Sequence, residues 1–167
     1  MEPQTMMTKT FLFALFVVLA IAAGMAWVRL APLDATLWHV NPAIAIKRDS
    51  PNDYLLRPVG GTGGDAVAPV WATDPVTLAQ RLVAAALAEP RTRILAGGAD
   101  QGFVTLVQRS ALWGFPDMIS IRTDAAPGGA TAAIWSRARF GYSDMGVNEA
   151  RVQRWLAAAT EGLAVAP

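Results

Sequence analysis

The sequence has 167 residues, enough for one domain and additional segments, since single domains most often contain about 100–150 residues. Hydrophobic residues make up 53% of the chain and charged residues 16%, which excludes a disordered protein and is typical of a membrane-associated one. The formal net charge of +1 excludes the strongly basic surface of a nucleic-acid-binding protein. Because the chain has no cysteine and one histidine, His39, disulfides and cysteine-ligated metals are excluded, and we expect no metal and no cofactor.

The first predicted element is an apolar helix over residues 11–30, with the sequence FLFALFVVLAIAAGMAWVRL and no charge before Arg29. Twenty helical residues span about 30 Å, the thickness of the hydrocarbon core of a bilayer. Lys9 precedes the segment, and Trp27 lies where aromatic residues are common at a membrane interface. We therefore predict a transmembrane anchor whose partner is the lipid bilayer.

A cleaved signal peptide is the alternative interpretation of residues 11–30, because Ala20-Ile21-Ala22 and Gly24-Met25-Ala26 have the small-x-small pattern of cleavage sites. The segment is longer than a usual signal-peptide core of about 7–15 residues, which favours the anchor. We predict that residues 1–10 form a short cytoplasmic N-terminus. The expected location is the bacterial cytoplasmic (inner) membrane, with a single pass and the bulk of the chain periplasmic.

Residues 31–66 are rich in proline and glycine, including GGTGG at 60–64, and predict an extended, turn-rich connector. Two stretches of this connector, LWHV at 37–40 and AIAIKR at 43–48, are apolar enough to pack on the domain or to lie at the membrane surface. We expect the glycine-rich tip to be mobile.

A compact domain is predicted over residues 67–164. Asp74 as N-cap and Pro75 at the first helical position begin an amphipathic helix that ends at Pro90. A first strand at 67–72 precedes this helix, and four strands and a last helix follow it, at 92–96, 103–109, 118–123, 131–140 and 147–161. Because no crossover helix separates the four strands, we predict an α+β fold with a mainly antiparallel sheet in the order β-α-β-β-β-β-α and both helices packed on one face.

Side chains alternate between the two faces of the last predicted strand. Ile134, Ser136, Ala138 and Phe140 share one face, which suits the core. The opposite face carries Ala133, Trp135, Arg137 and Arg139, and we expect it to be a surface of aromatic and guanidinium groups.

The segment SRARFGYSDMGVNEARVQRWL, residues 136–156, joins this strand to the last helix and has two interpretations. In the structural one, Ser143, Asp144 or Asn148 caps the helix, and an arginine holds Asp144. In the functional one, Arg137, Arg139 and Arg151 form a receptor for an anionic group, assisted by backbone amides at the start of the helix.

RSALWGFPDMISIR (109–122) followed by the segment at 136–156 resembles domain-of-unknown-function family 1499 over roughly residues 51–160. The positions that carry the resemblance are Phe115, Pro116, Asp117, Ser136, Arg137, Arg139, Gly141, Ser143, Asp144, Gly146, Asn148 and Arg151. SPNDYLLRP (50–58) also resembles the beginning of such domains, without the cysteine that some members carry there. The resemblance implies an exported or membrane-anchored domain and no known activity.

Three functions are compatible with these patterns. The leading hypothesis is a membrane-anchored accessory module that docks a membrane-protein partner through Trp135, Arg137 and Arg139. The second is a binder of a small acidic or lipid ligand in a pocket between sheet and helix, lined by Phe103, Ile119, Ile121 and Trp155.

The third hypothesis is an uncharacterised enzyme, but we expect no catalysis. A serine nucleophile needs a base, whereas His39 lies in the predicted connector and no Gly-x-Ser-x-Gly elbow occurs. Asp117 and Asp144 would have to converge in an open cleft to serve as an acid–base pair.

Overall fold

The computed structural model describes residues 3–47 and 49–166. The first two residues of the predicted cytoplasmic N-terminus and residue 48 of the predicted 43–48 stretch lie outside the described residues. The helices are α1 (Pro3–Leu30), α2 (Ala35–Trp38), α3 (Pro75–Ala88) and α4 (Val147–Thr160). The strands are β1 (Asp53–Pro58), β2 (Ala66–Ala68), β3 (Thr92–Gly98), β4 (Phe103–Arg109), β5 (Pro116–Ala126) and β6 (Gly129–Ala138).

The strands form one six-stranded sheet in the order β2-β1-β6-β5-β4-β3. Strands β3 to β6 are a continuous antiparallel meander, as their short connections predicted, and β1 pairs antiparallel with β6. Only the short edge strand β2 runs parallel to its neighbour, β1. The α+β class and the mainly antiparallel sheet are therefore confirmed.

Strand β1 corrects the predicted boundary of the connector, because residues 53–58 lie inside the sheet between β2 and β6. Its Leu55, Leu56 and Arg57 are buried, whereas Pro51 and Pro58 stand before the strand and at its last position. Proline is tolerated at the ends of strands. Pro51 and Pro58, which we interpreted as connector residues, therefore lie at the two ends of a strand. The predicted first strand at 67–72 shortens to Ala66–Ala68.

Helices α3 and α4 cover one face of the sheet, as expected. Asp74 caps α3 by accepting a hydrogen bond from the backbone of Thr77 at 2.9 Å. The core between the helices and the sheet is closed by large side chains that include Leu78, Leu82 and Trp155. Burial of such side chains is worth about 1.5–3 kcal/mol each, so this face provides much of the stability of the domain.

The other face of the sheet is covered by a segment that we call the covering segment, residues 31–47. The ring of His39 stacks on Phe103 with 3.8 Å between ring centres, and its Nδ1 lies 2.9 Å from the hydroxyl of Thr105. Arg57 of β1 holds the same segment by donating to the carbonyls of Pro42, at 3.1 Å, and Ala45. Residues 37–40 thus pack on the domain, and the face that we expected to be open is largely covered.

Helix α1 is long and apolar enough to cross a membrane or to be a signal sequence, because Met7–Leu30 contains an 18-residue stretch with a mean hydropathy of 2.6. Its side chains are mostly exposed, in contrast to those of a core helix of the same composition. The last turn contacts the domain: Arg29 donates to the carbonyl of Leu112 at 2.7 Å, and Arg109 donates to that of Val28 at 3.3 Å. The end of α1 is therefore tied to the loop between β4 and β5.

Candidate functional site

A cavity of about 650 Å³ lies between the covering segment, the residues before β1 and strand β6. Its walls are formed by Leu37, Trp38, Val40, Ala45, Ile46, Ser50, Asn52, Asp53, Trp135, Arg137, Ala138 and Arg139. The alternation along β6 placed Trp135, Arg137 and Arg139 on one side of the sheet, and all three line this cavity. Its volume is in the range of pockets that bind small molecules.

Arg137 is the central polar group of the cavity wall, and its side chain is only 8% exposed. Its Nη2 donates to the carbonyl of Trp38 at 2.9 Å and to the hydroxyl of Ser120 at 2.8 Å. The guanidinium lies 4.2 Å from the ring centre of Trp135 and 5.6 Å from that of Trp38, so two aromatic faces stabilise its charge. Its Nε has no hydrogen-bond partner within the described part of the chain.

No carboxylate of the described residues lies within salt-bridge distance of Arg137. The carboxylate of Asp53 acts on it from farther away, but accepts a hydrogen bond from Trp135 Nε1 at 3.0 Å and is 3.2 Å from Lys47 Nζ. Burial lowers the pKa of Arg137 to about 10, and the charge of Asp53 opposes this shift. The guanidinium is therefore protonated at neutral pH, and the cavity carries a positive charge that is incompletely compensated.

Arg139 lies at the edge of the same cavity, two positions further along the chain, and is half-buried. Its Nη1 donates to the carbonyl of Pro32 at 2.9 Å, and its guanidinium lies 5.2 Å from the ring centre of Phe140. Among the described residues the side chain of Arg139 makes this one hydrogen bond, so most of its five N–H groups can bind an anion.

The corner between β6 and α4 has the capping role of the structural interpretation. The two oxygens of Asp144 accept hydrogen bonds from the backbone amides of Gly146, at 3.0 Å, and Asn148, at 2.8 Å. Ser143 accepts one from the backbone of Met145 at 3.2 Å. The expected arginine clamp on Asp144 is wrong, because Asp144 binds amides and the nearby Arg151 binds another carboxylate.

Arg151 lies on the helical face of the sheet and belongs to a buried polar network. It donates to Asp117 at 2.6 Å, to the hydroxyl of Ser136 at 2.9 Å and to the side chain of Asn148 at 2.6 Å. The pKa of Asp117 is raised, because the effect of burial exceeds the opposite effect of the charge and hydrogen bond of Arg151. Arg151 and Asn148 therefore connect α4 to β5 and β6, and they are separated from the cavity by the sheet.

The predicted site residues thus divide into three groups. Trp135, Arg137 and Arg139 line the cavity, and Asn148 and Arg151 hold α4 to the sheet. Gly146 is the N-cap residue of α4; Asp144 accepts from the first-turn amide of Asn148, whereas Ser143 bonds only to Met145 in the turn before the helix. A receptor made of Arg137, Arg139 and Arg151 together is excluded, since Arg151 lies on the other face. Sequence reasoning missed Trp38, Asn52 and Asp53, although the apolar stretch at 37–40 did indicate packing on the domain.

The pocket expected between sheet and helix is replaced by packed side chains. Ile119, Ile121 and Trp155 are each almost fully buried in the core, and Phe103 stacks on His39 instead. The cavity on the opposite face is consequently the better place for a ligand.

Comparison with known families decides the identity of the domain. The family described as "Protein of unknown function (DUF1499)" matches residues 43–158, which is more than half of the chain. The chain belongs to the DUF1499 family. No curated protein and no solved structure matches it.

The part of the chain that matches DUF1499 contains both arginines of the cavity, β1 and the whole sheet. Leu37, Trp38 and Val40 precede the matched part, so one wall of the cavity is built by residues outside it. In this DUF1499 protein, Asp144 and Arg151 bond within the β6–α4 corner and the helical face of the sheet, whereas Arg137 and Arg139 line the cavity on the opposite face.

Proposed function

We propose that this protein is a membrane-anchored binding module whose ligand is a small amphiphile with an anionic head. The observation that supports this most is Arg137, a buried guanidinium that lines a cavity with an unpartnered Nε and without a carboxylate partner among the described residues. A buried charge without a counter-charge is destabilising, so such groups are usually paired. A bound carboxylate or phosphate would supply the missing partner through charge-assisted hydrogen bonds.

The apolar part of the proposed ligand follows from the remaining walls. Val40 and Ala45 give one side of the cavity an aliphatic lining, Trp135 adds an aromatic surface, and the largely exposed Leu37 and Ile46 form its rim. Ser50 and Asn52 offer polar groups near the same space. A hydrocarbon body against these walls, with its acidic head at Arg137 and Arg139, satisfies both kinds of lining.

We further propose that α1 anchors the module in the bacterial cytoplasmic membrane, with the domain on the periplasmic side. The length and hydropathy of Met7–Leu30 support this proposal, as do Trp27 and Arg29 at the end of the segment. Acidic amphiphiles are natural components of a membrane surface. The proposed membrane anchor would therefore place the cavity near the kind of ligand that we propose for it.

The test is to purify the full-length protein from its native membrane in mild detergent and to identify bound small molecules by native mass spectrometry and lipid analysis. The wild type should retain an acidic amphiphile, and Arg137→Met should lose it. Arg154→Met is the matched control, because it removes an exposed arginine that pairs with Glu89 far from the cavity. Equal contents in all three proteins would contradict the proposal.

Docking of a membrane-protein partner remains a second candidate. Its supporting observation is the exposure of apolar side chains on the covering segment, where Ile46 is 90% exposed, Ile44 79% and Leu37 70%. The docking surface would then be the covering segment, since Trp135 and Arg137 lie beneath it. A stoichiometric complex that survives purification and is lost in Ile44→Ser/Ile46→Ser would support this function, and purification of the wild type alone would contradict it.

A further inference from the structure

Exposed and half-buried aromatic and apolar side chains surround the point where α1 joins the domain. We call them the aromatic patch, and its members are Trp27, Leu112, Trp113, Phe115 and Phe140. Ring centres are 6.2 Å apart for Trp27 and Phe140, 5.8 Å for Phe115 and Phe140, and 6.2 Å for Trp113 and Phe115. Trp27 and Leu112 remain 67% and 66% exposed. A contiguous apolar patch of this kind marks an interaction surface.

Four arginines surround the aromatic patch, and we call them the arginine cluster: Arg29, Arg93, Arg109 and Arg139. Within the described part of the chain, their side chains donate to backbone carbonyls, such as that of Leu112 for Arg29 and that of Gly114, at 2.8 Å, for Arg109. Among the described residues, no carboxylate forms a salt bridge with any of the four. Burial lowers the pKa of Arg109, and the charges of Arg93, Arg139 and Arg29 lower it further, as expected where several cations lie near one another.

The attachment of the aromatic patch to the end of α1 determines how deep the patch lies in the bilayer. About 20 residues of α1 suffice to cross the hydrocarbon core, so an insertion that begins at Phe11, after Lys9, ends at Leu30 and has Trp27 and Arg29 in its last turn. Trp27 and Arg29 then lie at the level of the lipid headgroups, where aromatic and basic side chains are favoured. The hydrogen bonds of Arg29 and Arg109 hold the 110–115 loop beside the same turn, so the loop lies at the same depth.

We propose that the aromatic patch and the arginine cluster bind the phosphate headgroups of anionic phospholipids in the bilayer that α1 spans. This inference rests on the proposed anchoring by α1, and it shares Arg139 but none of the aromatic side chains of the patch with the cavity at Arg137. Positive charge without counter-charge, next to rings that favour the interface, is complementary to an anionic lipid surface.

A second feature favours a phospholipid over another anion. A shallow, open groove on one face of α1 is formed by Ala22, Met25, Ala26 and Leu30, with Arg29 beside it. Its apolar walls lie towards the membrane, and Arg29 stands at the end where the helix leaves it. An acyl chain along this groove brings its phosphate to the arginine cluster.

The test uses the full-length protein in nanodiscs. Because the chain has no cysteine, a single introduced cysteine can carry an environment-sensitive fluorophore. Phe16→Cys reports insertion of α1, and Leu112→Cys reports contact of the patch with lipid; both side chains are exposed. The phosphatidylglycerol content of phosphatidylcholine nanodiscs is then varied. Emission at Leu112→Cys should shift to the blue as phosphatidylglycerol is added, and emission at Phe16→Cys should indicate a hydrocarbon environment throughout.

The matched variants remove the same charge from two places. Arg93→Gln/Arg139→Gln takes two cations from the cluster, whereas Arg122→Gln/Arg154→Gln takes two that pair with Asp124 and Glu89. Each arginine near an anionic surface contributes about a fivefold change in affinity. The first pair should therefore weaken the response to phosphatidylglycerol by about 25-fold, and the second pair should leave it unchanged.

Each other outcome overturns the inference at a distinct step. An equal loss in both double variants would show that only net charge matters. A hydrocarbon signal at Phe16→Cys without any response at Leu112→Cys would leave the anchor in place and remove the headgroup site. A watery environment at Phe16→Cys would overturn the anchoring as well. Suppression of the Leu112→Cys response by inorganic phosphate would reassign the cluster to a free anion.

Discussion

The guanidinium of Arg151 lies 2.6 Å from the carboxylate of Asp117, with both side chains largely shielded from water. Arg137, on the opposite face of the sheet, is similarly buried but has no such carboxylate among the described residues. Two buried arginines only 14 positions apart in the chain thus differ in whether a carboxylate pairs with them. The difference separates an arginine that the fold needs from one that a ligand can use.

Removal of Arg151 is predicted to destabilise the domain strongly. Arg151→Met leaves Asp117 without its counter-charge in a mostly buried position, and loss of one member of a buried pair costs about 3–5 kcal/mol. Thermal and denaturant unfolding of the full-length protein in detergent measure the change. An unfolding free energy within about 0.5 kcal/mol of the wild type would contradict the structural role.

Removal of Arg137 is predicted to have a small effect on stability. Arg137→Met eliminates a buried charge that Asp53 compensates only in part, and the carbonyl of Trp38 retains a hydrogen bond from Ser120 at 3.3 Å. Replacement of buried charges by apolar groups of similar size is often neutral or stabilising, so we expect a change within about 1 kcal/mol. The same unfolding measurement decides, and a loss as large as that of Arg151→Met would assign Arg137 to the fold.

The attachment of the covering segment is predicted to weaken at acidic pH through His39. Burial lowers the pKa of His39 from its ordinary value of 6.5, so the folded state favours the neutral ring. The contribution of His39 to stability is complete above the unfolded-state pKa and is lost as the pH falls through the lower folded-state value. Hydrogen exchange at residues 35–46, corrected for the intrinsic pH dependence, should accelerate below this range.

His39→Gln is the control for this pH effect, because it removes the titrating group from the contact with Thr105. The variant should show no additional acceleration of exchange on acidification. If the wild type and His39→Gln responded alike, another group would be responsible for the pH dependence.

Much of the fold could be predicted from the sequence because it depends on local patterns. The cap at Asp74, the helical period of α3 and the alternation along β6 each require only neighbouring residues. Strand β1 was harder to find, since its short apolar core at Leu55 and Leu56 lies between prolines. What decides its place is pairing with β6, some 80 residues further along the chain.

The candidate site was predicted in part for the same reason. Alternation placed Trp135 and Arg137 on one face, but it could not show what covers that face. The hydrogen bond from Arg137 to Trp38 joins residues 99 positions apart. Arg151 was grouped with Arg137 because they are close in sequence, although the sheet stands between them in space.

The hydrogen bonds of Asp144 at the start of α4 are predicted to stabilise the domain. Asp144→Ala removes the acceptor of two backbone amides and should lower the unfolding free energy by about 0.5–2 kcal/mol. Asp144→Asn retains an acceptor oxygen and should lose less. An unchanged stability in Asp144→Ala would contradict the capping role. That the protein is not an enzyme stays a prediction; if an activity is found, the Asp144→Asn variant tests whether Asp144 takes part in it.

The orientation of the anchor can be tested with single cysteines. Tyr142→Cys, at a position where the native side chain is 85% exposed, should react with a membrane-impermeant maleimide on intact spheroplasts. Gln4→Cys should react only after the membrane is permeabilised. The reverse pattern would place the domain in the cytoplasm, and an intact mass that lacks residues 1–22 or 1–26 would establish a cleaved signal peptide.

The measurement that tests the central claim most directly is calorimetric titration of the full-length protein in nanodiscs with octanoate and with octanol, corrected with empty nanodiscs. The two ligands share an apolar body and differ in the anionic head. We predict that octanoate binds in the cavity, that Arg137→Met weakens this binding by about 10–100-fold, as expected for the loss of charge-assisted hydrogen bonds, and that octanol binding is barely affected. Equal affinity of wild type and Arg137→Met for octanoate would contradict the assignment of Arg137 as the anion receptor.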